Sequence, residues 1–273
     1  MNKLFSLIFV SLLLSSCSFS DVLDSDITSS SDEVSLISEE ESIPVINESK
    51  LEKYYEDVDT SNLLTSLQTL MFNTHNYYPS YGQIRNQFIK SDTDPKNKNN
   101  IICFYSHNSI SGRWDNGVTY NREHVWPKVL SDNLFSSDTM EREGGSQGYN
   151  GYRGAGSDLH HVRPVISELN EARGSYKFGI YEPNDNAKGD VARIIAYLYT
   201  HYSNEIKGSG MNREDFIGNL KIEKVFLSKS LLREWSKLDP VDELERNRNE
   251  YIYQYQGNRN PFIDHPEWVN YIV

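Results

Sequence analysis

Two short stretches decide how this 273-residue chain is read: Arg122-Glu123-His124-Val125-Trp126-Pro127 and Asp158-Leu159-His160-His161-Val162-Arg163-Pro164. In an extended strand successive side chains leave on opposite faces, so Glu123 and His124 point apart and one can hold a cation while the other faces a substrate. His160 and His161 alternate in the same way, so only one of them turns toward that centre. Pro164 can open a helix running to about Arg173, with Gly174 as its stop. The implied order is strand, long loop, strand, helix. The loop, 131–157, is rich in Ser, Gly and Asp and has no apolar period, and loops of such length inside a compact domain tend to be functional.

The rest of the chain supplies the scaffold. Leu63, Leu64, Leu67, Leu70 and Met71 fall on one helical face over 62–72, with Thr60 or Ser61 able to cap it. Residues 101–106 read as a strand in which Cys103 is a buried spectator, and Asn116-Gly117 reads as a hairpin turn leading into Val118-Thr119-Tyr120. Val191, Ile194, Ile195, Leu198, Tyr199 and Tyr202 form a second helical face. Val225 to Leu238 is a third helix, and Asp239-Pro240 caps and starts a fourth through about Gln256. Without alternating βαβ units, the fold class is α+β, mainly helical around a small antiparallel sheet.

Composition bounds the function. Membrane-embedded, collagenous and wholly disordered readings fail, and two cysteines cannot staple a chain of this size. The formal net charge of −12 excludes a broadly basic nucleic-acid coat but not a local one. Nine of the 39 acids, and one of the 27 bases, fall between residues 17 and 50, so 51–273 is close to balanced.

Residues 1–16 carry Lys3 ahead of an apolar run too short for a comfortable membrane span, and read as an export signal. Leu14-Ser15-Ser16-Cys17 resembles the lipobox of bacterial lipoproteins, which implies acylation of Cys17 and a membrane anchor. An ordinary cleaved signal with a chance cysteine is the alternative. Residues 17–50 read as an acidic disordered tether, or a segment that folds on a partner, and 51–273 as one folded domain.

The two opening stretches, with Glu168-Leu169-Asn170-Glu171-Ala172-Arg173-Gly174 and the run from Gln256 to Pro266, resemble the signature of the bacterial endonuclease I family. These are exported nonspecific nucleases with a ββα-metal (His-metal finger) core. The resemblance implies a monomeric endonuclease acting on DNA and RNA, with His124 as general base, Glu123 and His161 as ligands of Mg²⁺ or Mn²⁺, and 5′-phosphate products. The second ligand in the family's best-known form is Asn, and the imidazole here tilts the expectation toward Mn²⁺. The resemblance assigns phosphate recognition to Arg173, with Asn170 on the same helical face, and Arg142 in the long loop is a further candidate. The alternative for Arg173 is an ion pair that ties its helix to the tail motif. His160, His75, His107, His201 and His265 read as structural. A non-catalytic, nucleic-acid-binding lipoprotein is the competing function. A zinc peptidase is disfavoured because Glu123-His124 does not form His-Glu-x-x-His.

Overall fold

The computed structural model describes residues 47–132, 134–135, 141–142, 152–203 and 218–272, with the backbone alone at 141–142 and 152–153. The signal segment, Cys17, the acidic stretch through residue 46 and most of the long loop lie outside the described residues. The chain is α+β. The helices are α1 (Glu48–Tyr54), α2 (Leu63–Thr74), α3 (Ile84–Ser91), α4 (Ser167–Arg173), α5 (Lys188–Tyr202), α6 (Lys229–Leu238), α7 (Glu243–Gln256), α8 (Pro261–Asp264) and α9 (Val269–Ile272). Strands β1 (Thr93–Asp94), β2 (Asn97–Ile102) and β3 (Ser109–Ser111) form one antiparallel sheet. Two further antiparallel pairs join β4 (Tyr120–His124) to β7 (Val162–Ile166) and β5 (Glu141–Arg142) to β6 (Tyr152–Arg153).

The main core surrounds α5, which is buried along its whole length and packs against α2, α6, α8 and α9. A smaller apolar cluster of Ile84, Phe88, Ile101, Cys103, Tyr120, Leu159, Val162 and Ile252 fastens α3 and α7 to β2, β4 and β7. Burial pushes the Cys103 thiol up to about 12, so it stays protonated and unreactive. Helix α4 follows β7 directly and packs on both β4 and β7, which gives a strand, strand, helix unit.

Buried charges lock this unit to the rest. Asp92 Oδ1 accepts from Arg163 Nε at 3.0 Å and from Arg248 Nε at 3.1 Å, joining β7 and α7 to the end of α3. Arg193 of α5 donates to Glu245 of α7 at 2.8 Å and 2.5 Å. Arg259 spans Asp264 at 2.7 Å and Glu250 at 2.6 Å, so the tail motif is tied within itself and to α7.

Several element boundaries differ from the sequence expectation. Pro164 lies inside β7 opposite Arg122, and the helix starts only at Ser167. A proline is tolerated there because, among the described residues, β7 forms a ladder with β4 only, and on its other side the Pro164 carbonyl accepts from Phe104 N at 2.8 Å, a bond that needs no N–H from the proline. Gly174 does end the helix, at φ +50°. The fourth helix begins at Glu243, capped by Asp242, whose side chain accepts from Glu245 N at 2.8 Å. Asp239 is engaged elsewhere: its carboxylate caps Gly189 N at 2.8 Å and its carbonyl accepts from Arg193. The third helix begins at Lys229 behind Ser228, because the Val225 carbonyl is taken by Phe178 N at 2.8 Å.

Neither Thr60 nor Ser61 caps α2. They form a short 3₁₀ turn with Asn62, and Asp59 accepts from Ser61 N at 2.9 Å. The strand expected over 101–106 is β2, which ends at Ile102. Asn116 and Gly117 turn at φ +64° and +84°, yet β3 and β4 on either side do not pair with each other. Helix α1 starts at Glu48, behind an Asn47 cap, three residues before the expected domain start.

Two outcomes test this frame. Asp92→Ala leaves the buried Arg248 guanidinium without its carboxylate and Arg163 with Asp190 alone, 3.7 Å away, and is expected to cost about 3–5 kcal/mol, measured by urea denaturation. Iodoacetamide at mildly alkaline pH is expected to leave the Cys103 peptide unmodified in the folded protein and to label it in urea, as read by mass spectrometry.

Candidate active site

Strand β4 presents two faces. Glu123, opposite Arg163 in the ladder, turns inward, where its Oε1 accepts from the Tyr105 hydroxyl at 2.7 Å and lies 3.4 Å from Arg173 Nε. Burial pushes the Glu123 carboxyl up to about 7, while Arg173 and the Tyr105 hydrogen bond pull it back. Arg173, in the last turn of α4, is fully buried with its guanidinium over the Phe178 ring. It donates to the Val125 carbonyl at 3.2 Å and to the Gly174 carbonyl at 3.0 Å. Its ion pair is therefore with Glu123, whereas the tail motif has its own arginine.

His124 takes the other face. Its Nε2 lies 2.7 Å from the Gly156 carbonyl, and a carbonyl can only accept, so Nε2 carries the proton. In the neutral ring the lone pair then sits on Nδ1. Neutral is the form that persists, because burial, followed by His161 and Lys128, holds His124 well below the ordinary histidine range. The ring stacks on Tyr81 at 5.2 Å and meets His161 edge-on at 5.0 Å between centroids.

His161 is buried against Phe135, 4.3 Å between centroids. Its Nε2 stands 3.1 Å from both the N–H and the carbonyl of Trp126, only one of which it can bond at a time. Its Nδ1 is buried and closes no well-formed hydrogen bond, and the Ala155 backbone lies near the ring. Burial brings its pKa down to about 4, so it is a neutral donor. Glu123, His124 and His161 do not bring three ligand atoms within 4.8 Å of one another. Taken singly, Glu123 and His161 each keep a donor of a kind that divalent cations accept. The Glu123 carboxylate is buried with both side-chain contacts on Oε1, and a buried imidazole nitrogen at His161 lacks a good partner.

The remaining sequence candidates lie around this centre. Asn170 of α4 donates its amide to Asn121 of β4 and is half-buried. Arg142 belongs to β5 by its backbone, and its side chain lies outside the described residues. His160 is buried, 3.2 Å from the Asn258 carbonyl, with its pKa brought down to about 3 by burial.

One cluster was not read from the sequence. Single ligand atoms from His75, Asp158 and His201 lie within 4.8 Å of one another, all three residues buried. His75 Nδ1 is 3.1 Å from His201 Nε2. Asp158 accepts from the hydroxyls of Tyr197 at 2.6 Å and Tyr202 at 2.7 Å, from Gln256 Nε2 at 2.9 Å and from His160 N at 2.9 Å. Burial opposes its charge, but the imidazoles of His75, His160 and His201 hold its pKa below the ordinary carboxylate range. No motif spacing could have revealed residues so far apart along the chain.

The Endonuclease I family model matches residues 60–182 and 180–267, which include every element of this centre. The chain belongs to the endonuclease I family. Among relatives, it is 36% identical over 241 residues to an extracellular ribonuclease of Bacillus subtilis (strain 168), covering 80% of this chain and 77% of the relative. It is 37% identical over 214 residues to an extracellular ribonuclease of Bacillus amyloliquefaciens, covering 71% and 68%. A periplasmic deoxyribonuclease of Aeromonas hydrophila matches at 26% over 111 residues, covering 39% and 47%. In this member of the family, Asp158 ties the segment before β7 to α5 and α7. Asp158→Ala leaves Tyr197, Tyr202 and Gln256 with buried donors, and the expected loss exceeds about 3 kcal/mol in urea denaturation.

Proposed function

We propose that this protein is an exported, metal-dependent endonuclease that hydrolyses phosphodiester bonds of DNA and RNA without sequence preference, leaving 5′-phosphate ends. The observation that carries the reading is the hydrogen bond from His124 Nε2 to the Gly156 carbonyl, on the opposite face of β4 from Glu123. It fixes the tautomer in which Nδ1 is the basic nitrogen. His124 Nδ1 takes the proton from the attacking water as the water oxygen bonds to phosphorus and the bond to the 3′ oxygen breaks. General-base assistance of this kind contributes about 10²–10⁴ in rate.

Glu123 and the Nδ1 of His161 are the proposed protein ligands. Mg²⁺ or Mn²⁺ held there supplies positive charge for the phosphate and for the departing 3′ oxygen. Arg173 acts through Glu123, holding its carboxylate in place 3.4 Å away. Asn170 and Arg142 are assigned to the substrate phosphates, and the strand, strand, helix unit is read as the ββα-metal core. Relatives named ribonuclease and deoxyribonuclease support activity on both nucleic acids. Their names, extracellular and periplasmic, support export. Cys17 is the proposed acylation site, holding a monomeric enzyme at the membrane through the acidic tether.

Digestion of plasmid DNA and of RNA by the purified protein tests this reading. EDTA is expected to stop cleavage and Mn²⁺ or Mg²⁺ to restore it. His124→Ala is expected to lose about 10²–10⁴ in kcat, and Glu123→Gln to lose the metal response. A folded His124→Ala protein that cuts at the wild-type rate would remove the proposed base.

A further inference from the structure

Outside the catalytic pair, β4 and its neighbours assemble a row of cations and rings that ends at His124. Arg85 lies over the Trp114 ring at 5.7 Å, and Arg122 lies 5.4 Å from the same ring on its other contact. Arg122 also stacks on Tyr81 at 3.9 Å, Lys128 lies 5.8 Å from Tyr81, and Tyr81 stacks on His124. The row draws on α3, the segment before β4, β4 itself and the turn after it. Lys128 is exposed, and Arg85 and Arg122 are half-buried.

We propose that Arg85, Arg122 and Lys128 form a phosphate track that leads the substrate strand to His124, with Tyr81 and Trp114 as the rings that hold the guanidinium groups in place. The proposal rests on the nuclease reading for the identity of the polyanion and adds where the strand lies.

Charge is the first argument. The arginines of the frame, Arg163, Arg173, Arg193, Arg248 and Arg259, each face a carboxylate. Arg85, Arg122 and Lys128 form no ion pair with a described residue, so three like charges stand together on a chain of net charge −12. Such a grouping favours a bound polyanion, which relieves the repulsion and releases counterions.

Geometry separates phosphates from bases as the ligand. The Tyr81 ring already stacks with Arg122 and with His124, so a base has little ring left to cover. Arg122 is braced further by donating Nη1 to the Tyr81 carbonyl. A guanidinium stacked on a ring keeps its N–H groups in the plane, so the donors not used on the Tyr81 carbonyl can reach a phosphate. Contacts confined to phosphates position a strand and carry no sequence information, which matches cleavage without sequence preference.

Fluorescence anisotropy of a labelled single strand of about 20 nucleotides, DNA or RNA, tests the track in EDTA, where no turnover occurs. Titrations of the full chain run across about 25–200 mM salt. Arg85→Ala, Lys128→Ala and Arg122→Gln, each checked for folding by urea denaturation, are expected to lower the slope of log K against log salt by about 0.7 per lost contact. Arg246→Ala, an exposed charge on α7, is the control and keeps the wild-type slope. The track is overturned if the Arg85 and Lys128 variants keep the wild-type slope, or if Arg246→Ala lowers it equally. The nuclease reading is judged separately by the plasmid and RNA digestion, so a protein that cuts with unchanged slopes loses only the track. A protein that binds with lowered slopes but never cuts loses only the nuclease.

Discussion

The pairing of β4 with β7 is the constraint on which the rest depends. Its register sets Glu123 opposite Arg163 and His124 opposite Val162. A slip of one residue would exchange the faces of Glu123 and His124, putting the imidazole where Arg173 waits and the carboxylate beside Tyr81. The register is held from both sides. Val162 lies in the apolar cluster with Phe88 and Ile252, and Arg163 is clamped on Asp92 together with Arg248. A buried guanidinium without its carboxylate is costly, so the hairpin has one well-paired position.

Burial then divides the chemistry between the two faces. On the inner face, removal from water raises Glu123 toward neutrality while Arg173 and Tyr105 favour its charged form. On the outer face, burial keeps His124 neutral, and the Gly156 carbonyl decides which nitrogen keeps the proton. A free imidazole near pH 6.5 would be partly protonated in mildly acidic water, whereas this one stays in its basic form. Charge on the frame and charge on the surface are also kept apart. The arginines inside are matched to acids, whereas Arg85, Arg122 and Lys128, near Tyr81 and His124, form no ion pair with a described residue.

The cluster around Asp158 extends the same logic to the scaffold. Its carboxylate gathers two tyrosines from α5, Gln256 at the end of α7 and the backbone ahead of β7. Gly257, just beyond, adopts φ +93°, and a Cβ there would collide with the Thr74 carbonyl. The end of α7 is thereby pressed onto the end of α2, close to His75. The tail motif thus acts as a buttress behind the second histidine-containing segment.

The sequence by itself determined the α+β class, the apolar faces of α2 and α5, the stop at Gly174, and the adjacency of Glu123 and His124 on one strand with opposite outlooks. These follow from local rules of periodicity, turn conformation and side-chain alternation, which neighbours far along the chain do not alter. It also carried the family through four ordered motifs. Only the tertiary structure decided that Pro164 sits in a strand, that Asp239 serves α5 rather than α7, that Arg173 turns inward onto Glu123, and that His75, Asp158 and His201 meet. Each of these depends on a partner dozens of residues away: the choice between competing hydrogen bonds and ion pairs is made by what burial brings alongside, and no local pattern encodes that.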